Sequence, residues 1–270
     1  MNNISVIVHN NKKETPPTGT LAMASFRRRI EIAGRHTVGS GYVRAVLEDD
    51  FHHFRVALRF RDGSVSDISG EAPRHPFSAC PEATAMLEAL VGMPLNRISI
   101  AVTRFTDATQ QCTHMFDLAG IAISVAAQGI THRVYEIEVP RHIDGLTEAR
   151  LVRDDGFRLA WQVNESNIIA PPPYAGINMR EGMARWALNE LAEDEAEAAL
   201  VLRRCALIAL GRRKDIDKEP HAHLTGRCYA QQPHRARHAI RIMGSTWDFS
   251  DQPEALCMDD HAWLKDFSSE

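Results

Sequence analysis

Between residues 107 and 129 the chain reads DATQQCTHMFDLAGIAISVAAQG. From Thr109 to Ala127 small apolar residues occupy nearly every face of a helix, the pattern of a segment enclosed by sheet or by other helices rather than lying on a surface. Whatever this chain folds into must therefore build its core around that stretch. Its first turns nevertheless carry a thiol, a hydroxyl, an imidazole and a carboxylate, at Cys112, Thr113, His114 and Asp117. Burying such groups costs several kcal/mol unless each finds a partner, and a site set into a cleft is one reason to keep them.

The segments on either side read as strands. Residues 27 to 70 alternate apolar and polar positions in RRRIEIAG, GYVRAVLEDD and FRVALRFRDGSVSDI, and Asp62-Gly63 marks a hairpin. Residues 132 to 170 repeat this character and end at the triple proline 171 to 173. Arg29 to Ile32, Arg35-His36 and Val46 to Asp50 match Val134 to Ile137, Arg141-His142 and Leu151 to Asp155 at offsets of 105 or 106, consistent with either a duplication or a coincidence of strand composition. SACPEATAMLEALVGM predicts a helix of about three turns with Cys80 or Ser78 as cap, Pro81 in its first turn and Gly92 as its stop. Arg97 to Thr103 reads as a strand, and residues 178 to 213 as a helical hairpin or one bent helix.

The fold class that follows is α+β: antiparallel β-meanders, half-barrel-like if duplicated, packed around a buried central helix, with a C-terminal helical segment. Residues 1 to 25, with the linker KKETPPTGT, are expected to be a flexible arm. Residues 26 to 270 are expected to form a single domain, of which 214 to 270 is a His-rich tail.

Composition excludes several partners. Lys and Arg total 31 against 35 Asp and Glu, so the chain has no field for nucleic acid or an anionic membrane. It has neither an apolar run long enough to span a bilayer nor a signal-peptide pattern, and five scattered cysteines suit reduced thiols; the expectation is a cytoplasmic protein. Fingerprints for dinucleotides, P-loops and nucleophile elbows are missing, which leaves chemistry without a cofactor.

Three groups of residues could carry that chemistry. In a helix starting near Thr109, Thr113, His114 and Asp117 share a face, and an imidazole held by a carboxylate is a tuned general base; the alternative is a satisfied core pair. Arg74 and His75 lie in a Pro-bounded loop before the helix at Cys80-Pro81, where a guanidinium could bind a carboxylate or phenolate, or could simply lie in a surface turn. Cys80 could be an activated thiol, and Tyr229, among other aromatics, could wall an apolar ligand. His75, Cys80, Cys112 and His114 could form a zinc set, though their spacings are poor, and so could His221, His223, His234 and His238 in the tail; the reading taken is no metal.

RRRIEI, LEDD, RHPFSACPEA and above all CTHMFDL resemble the bacterial domain-of-unknown-function family 2889 over about residues 26 to 230. The resemblance rests on Cys112-Thr113-His114 with Asp117 and on the Arg74-Pro76-Cys80 spacing. It implies an accessory enzyme in the breakdown of plant-derived aromatic compounds, some members being linked to deformylating lyase chemistry. On that basis the chain is expected to be a cofactor-independent lyase that releases formaldehyde from the hydroxymethyl group of a lignin-derived arylpropanoid, leaving a stilbene. His114 oriented by Asp117 would be the base, Arg74 would assist the leaving oxygen or bind a phenolate, and His75, Cys80, Cys112, Thr113 and Tyr229 would line the substrate. The rivals are a non-catalytic aromatic or acyl carrier and a hydrolase or isomerase of aromatic acyl thioesters. An exposed helical face after Arg180 would suit a homodimer.

Overall fold

The computed structural model describes residues 25–267, so the expected arm, Ser25 apart, and the last three residues lie outside the described residues. Eight antiparallel strands form one open sheet: β1 (Phe26–Thr37), β2 (Ser40–Asp49), β3 (His53–Arg61), β4 (Ser64–Arg74), β5 (His132–Val139), β6 (Leu146–Arg153), β7 (Arg158–Asn164) and β8 (Asn167–Ala170), in the order β4-β3-β2-β1-β5-β6-β7-β8. The two strand-rich blocks of the sequence are thus two four-stranded meanders joined edge to edge through β1 and β5. Asp62 and Gly63, at φ 50° and 75°, make the tight β3–β4 turn that their sequence announced.

At the antiparallel join, one residue pair falls on the sequence offset. Ile30 pairs with Tyr135, the residue 105 positions on, with Arg29 opposite Glu136 and Glu31 opposite Val134. The ion pair of Arg28 with Asp49 has a counterpart at the same offset in Arg133 and Asp154, looser at 3.9 Å and more exposed.

One face of the sheet is covered by helices. A short α1 (Val102–Phe105) leads into α2 (Thr113–Gln128), twelve of whose residues are buried. α2 packs on β2 and β3, and on its other side against the 3-10 turn Ser99–Ala101, where Gly120 is needed because a Cβ would come within 2.3 Å of the Ser99 carbonyl oxygen. Being packed on both sides accounts for the apolar residues all around α2. α3 (Met183–Glu190) and α4 (Glu193–Ala209) form the expected helical hairpin, and α4 covers β5 and β6.

Three local expectations are corrected. Residues 97 to 103 are not a strand but a 3-10 turn running into α1, so this polar-flanked segment serves as a lid over α2 rather than extending the sheet. The helix expected near Thr109 starts at Thr113, because Asp107 accepts from the Thr109 amide and closes a separate 3-10 turn first. Pro81–Leu90 is helical as expected but of the 3-10 type, and Cys80 makes no side-chain cap.

On the opposite face of β1 to β3, the tail lays down Cys257 and Leu264 against Val46, ending in α5 (His261–Lys265). Among the described residues no helix is long and apolar enough to cross a membrane.

Candidate functional site

The site begins at the tight connection from β2 to β3. Asp49 ends β2 on the helix-facing side and accepts the amides of Phe51 and His52 at 2.7 and 2.8 Å, which fixes the turn. Arg28, opposite it on β1, donates its Nε to Asp49 at 2.9 Å, and His52 Nδ1 lies 3.1 Å from the same carboxylate. Burial opposes the ionisation of Asp49, but Arg28 and His52 prevail and hold its carboxyl well below the usual range. A proton on His52 Nδ1 serves Asp49 and leaves Nε2 as the lone-pair nitrogen.

His114, in the first turn of α2, stacks on His52 with ring centroids 3.9 Å apart. It is 7% exposed, and its Nε2 is buried without a hydrogen-bond partner. Burial, reinforced by the charges of His52 and Arg28, pushes its pKa well below the ordinary histidine value. His114 is therefore a neutral imidazole at neutral pH, with a basic nitrogen left unsatisfied.

His114 forms part of the wall of a cavity of about 140 Å³ between α2, α4, residues 99 to 103 and the sheet. Ile30, Leu47, Ile100, Leu118, Ile121 and Val201 make it largely apolar. On the α4 side stands Glu197, 5% exposed. Tyr135 donates its hydroxyl to Glu197 Oε1, whereas Oε2 is buried with no partner. Burial raises the Glu197 carboxyl above its usual range, against the pull of Tyr135 and of Ser124, whose hydroxyl lies close by but is given to the Arg97 carbonyl. The cavity thus holds two titratable groups displaced toward their neutral forms, a base and an acid, each with an unsatisfied atom.

The cations of the wall differ in their partners. Arg28 is matched by Asp49, and Arg204 donates its Nε to Asp117 at 2.7 Å. Arg203 gives its Nε to the Met179 carbonyl and has no carboxylate bound to it; burial lowers its pKa, helped by the charge of Arg204. Among the described residues, Arg203 is thus the cation of this wall without a bound carboxylate.

Of the residues singled out from sequence, only His114 and Asp117 line this cavity. Asp117 does not hold His114; it pairs with Arg204, because its position faces α4 rather than the β2–β3 turn. Arg74 is not placed for catalysis. It donates to the backbone carbonyls of Asp49, Asp50, His52 and Ser245 and to Glu48, and lies over the rings of Trp247 and Phe249, tying the β2–β3 turn to the tail. His75 bonds the Ala72 carbonyl through Nδ1 at 2.9 Å. Cys80 is packed with Ala79 and Ala222, and burial pushes its thiol up. Cys112, which precedes α2, has its thiol pushed up to about 12 by burial. Thr113 lies outside the cavity wall, and Tyr229 points its hydroxyl at Glu82 under the Arg235 guanidinium. Apart from His114 and Asp117, none of these residues is in the wall of this cavity.

Two buried groups of side chains have metal-ligand composition: Asp49, His52 and His114, and, on the opposite face, Glu48, His53 and Asp260. In each group the ligand atoms lie within 4.8 Å of one another, but the carboxylates already serve cations and backbone amides. The lone pairs of His52 and His114 lie in stacked ring planes only 30° apart, and Asp49 spends its oxygens on Arg28 and the turn amides. In the second group His53 Nε2 is 2.9 Å from Asp260, which Arg55 neutralises, while Glu48 takes Arg74 and the Cys257 amide. The zinc sets weighed from sequence are not among the groups assembled by the described residues.

Sequence reasoning missed Arg28, Asp49, His52, Glu197 and Arg203. Asp49 and His52 had a signal in EDDFHH, acids and histidines crowded into one strand connection, and Glu197 had one in its place four residues before Val201 on the buried stripe of α4.

Residues 27–128 match the family model described as "Protein of unknown function (DUF2889)", so the resemblance read from the sequence holds over that span, which contains Arg28, Asp49, His52 and His114. No curated protein and no solved structure matches the chain.

Proposed function

We propose that this chain is a general acid–base lyase in which His114 is the base and Glu197 the acid. The observation that carries this reading is the pairing of the two in the wall of one largely apolar cavity, where burial pushes the imidazole's pKa down and the carboxyl's up and each keeps a buried atom without a hydrogen-bond partner. Asp49 and His52 position His114 from behind, and Tyr135 positions Glu197.

The reaction such a pair suits is the deformylation of an arylpropanoid carrying a benzylic hydroxyl and a terminal hydroxymethyl group, as lignin-derived dimers do. His114 Nε2 takes the proton of the primary hydroxyl, the oxygen forms the carbonyl of formaldehyde, and the carbon–carbon bond to the chain breaks. Its electron pair becomes the new alkene, and the benzylic oxygen leaves as water with the proton of Glu197. Proton and electrons balance between the two side chains without a redox partner.

A cavity of about 140 Å³ accepts one aromatic ring, comparable to engineered cavities that take up benzene. A two-ring substrate would place one ring inside and leave the second at the mouth. Arg203 supplies the charge for a phenolate or carboxylate on the enclosed ring, the role that the sequence had suggested for Arg74. Five free thiols fit an enzyme of the cytoplasm.

The test is to incubate chelator-treated protein with β-1 type lignin dimers bearing a benzylic hydroxyl and a free hydroxymethyl group, following formaldehyde and stilbene absorbance. Release of both is expected. Ligand-induced rises in Tm with neither product formed would instead favour an aromatic-binding protein.

A further inference from the structure

A second cavity, of about 340 Å³, shares no residue with the first. It opens where the β5–β6 connection meets the end of α4, and it is strongly polar on one side. Arg212 and Arg213 come from the 3-10 turn Leu210–Arg213 that follows α4, His142 from the β5–β6 connection, and Glu165 from the β7–β8 turn. Phe26, Val139, Pro140 and Ala209 form the apolar side.

The polar groups are not all satisfied. Arg212 is 6% exposed and lies 3.0 Å from Asp50 and 2.9 Å from Asp248, yet its Nη1 is buried with no partner. His142 Nε2 is likewise buried and unpartnered. Of the two acidic partners of Arg212, Asp50 has its carboxyl raised well above the usual range by burial, whereas Ser250 and Arg212 hold that of Asp248 low against burial. Glu165 is occupied by Arg213 at 2.6 Å. A guanidinium nitrogen and an imidazole nitrogen left without partners, on residues that line a cavity together with Arg213, suit a ligand that carries a negatively charged acceptor.

We propose that this cavity binds a small organic oxyanion, a phosphate or carboxylate on an apolar body, with Arg212, Arg213 and His142 donating to its oxygens. A bare phosphate would leave most of the volume and the whole apolar side unused, so the body contributes to affinity.

The experiment follows the imidazole resonances of His142 and His114 by NMR in the intact chain during titrations with inorganic phosphate, phenyl phosphate and cyclohexanecarboxylate. His142 should shift saturably with one or both organic probes, at least about tenfold tighter than with inorganic phosphate, and whichever organic probe binds tighter identifies the anionic group. Arg212 is locked in buried ion pairs, so the variant is Arg213→Gln, half-exposed and expected to fold; it should weaken the organic probe by about tenfold or more. A His142 resonance that stays still at millimolar probe, or an affinity unchanged in Arg213→Gln, overturns the proposal. Because His114 reports the first cavity separately, the outcome does not depend on the lyase reading.

Discussion

His114 lies flat against His52, ring centroids 3.9 Å apart, with Asp49 bound to the far ring. Neither imidazole can take up a proton without placing a charge beside the other and beside Arg28. The contact keeps the base neutral while Asp49 holds the neighbouring ring still.

Replacing His114 by Gln removes the base while keeping a polar side chain of similar reach. We expect turnover to fall about 10²–10⁴-fold with ligand binding retained. Steady-state rates beside ligand-induced shifts in Tm measure the two effects separately; equal loss of both would mark His114 as structural.

Glu197→Gln tests the acid. The amide can still accept from Tyr135, so the fold should persist, but it cannot deliver a proton, and turnover should fall by about 10²-fold or more. Asp117→Asn is the contrasting variant. Its pair with Arg204 is partly exposed, so the loss should be about 1 kcal/mol or less, with turnover little changed.

Arg74→Ala separates architecture from chemistry. Arg74 is buried and tied to four carbonyls and Glu48, so its removal should destabilise the protein by about 3–5 kcal/mol, read from denaturant unfolding. The folded fraction of this variant should still turn over, whereas a catalytic Arg74 would leave a folded but inactive protein.

Stability should depend on pH in opposite senses through the two groups. The lowered pKa of His114 means that the unfolded chain binds the proton first, so its contribution is complete above about pH 6.5 and is lost as pH falls toward the folded value. Glu197, raised, contributes most below about pH 4.5, and that contribution is lost as pH rises through its folded value. In urea unfolding, His114→Gln should flatten the loss below pH 6.5, and Glu197→Gln should flatten the loss on the rising side.

How much of this was legible in the sequence follows from range. Alternation along each strand, Asp62-Gly63 and the amphipathic run after Arg180 are local signals, and they located both meanders and the helical hairpin. The buried character of α2 was also visible, and with it His114 as a polar group in an apolar setting. Asp117 was assigned to His114 because three residues along a helix bring two side chains to the same face. That spacing says nothing about Arg204, which arrives from α4, 87 residues away, and takes the carboxylate. Arg74 misled for a similar reason. Its loop invited an anion, but the carbonyls of the β2–β3 turn and of Ser245, 171 residues on, close around it. Glu197 became visible as an acid only when α4 was laid over Tyr135.

Acid–base chemistry by this pair depends on the protonation states of His114 and Glu197, which NMR of the labelled imidazole and carboxyl groups can follow across pH with no substrate present. The account predicts an imidazole that stays neutral well below pH 6.5 and a carboxyl still protonated above pH 4.5. A His114 that titrates at or above pH 6.5, or a Glu197 already ionised at pH 4.5, would contradict it.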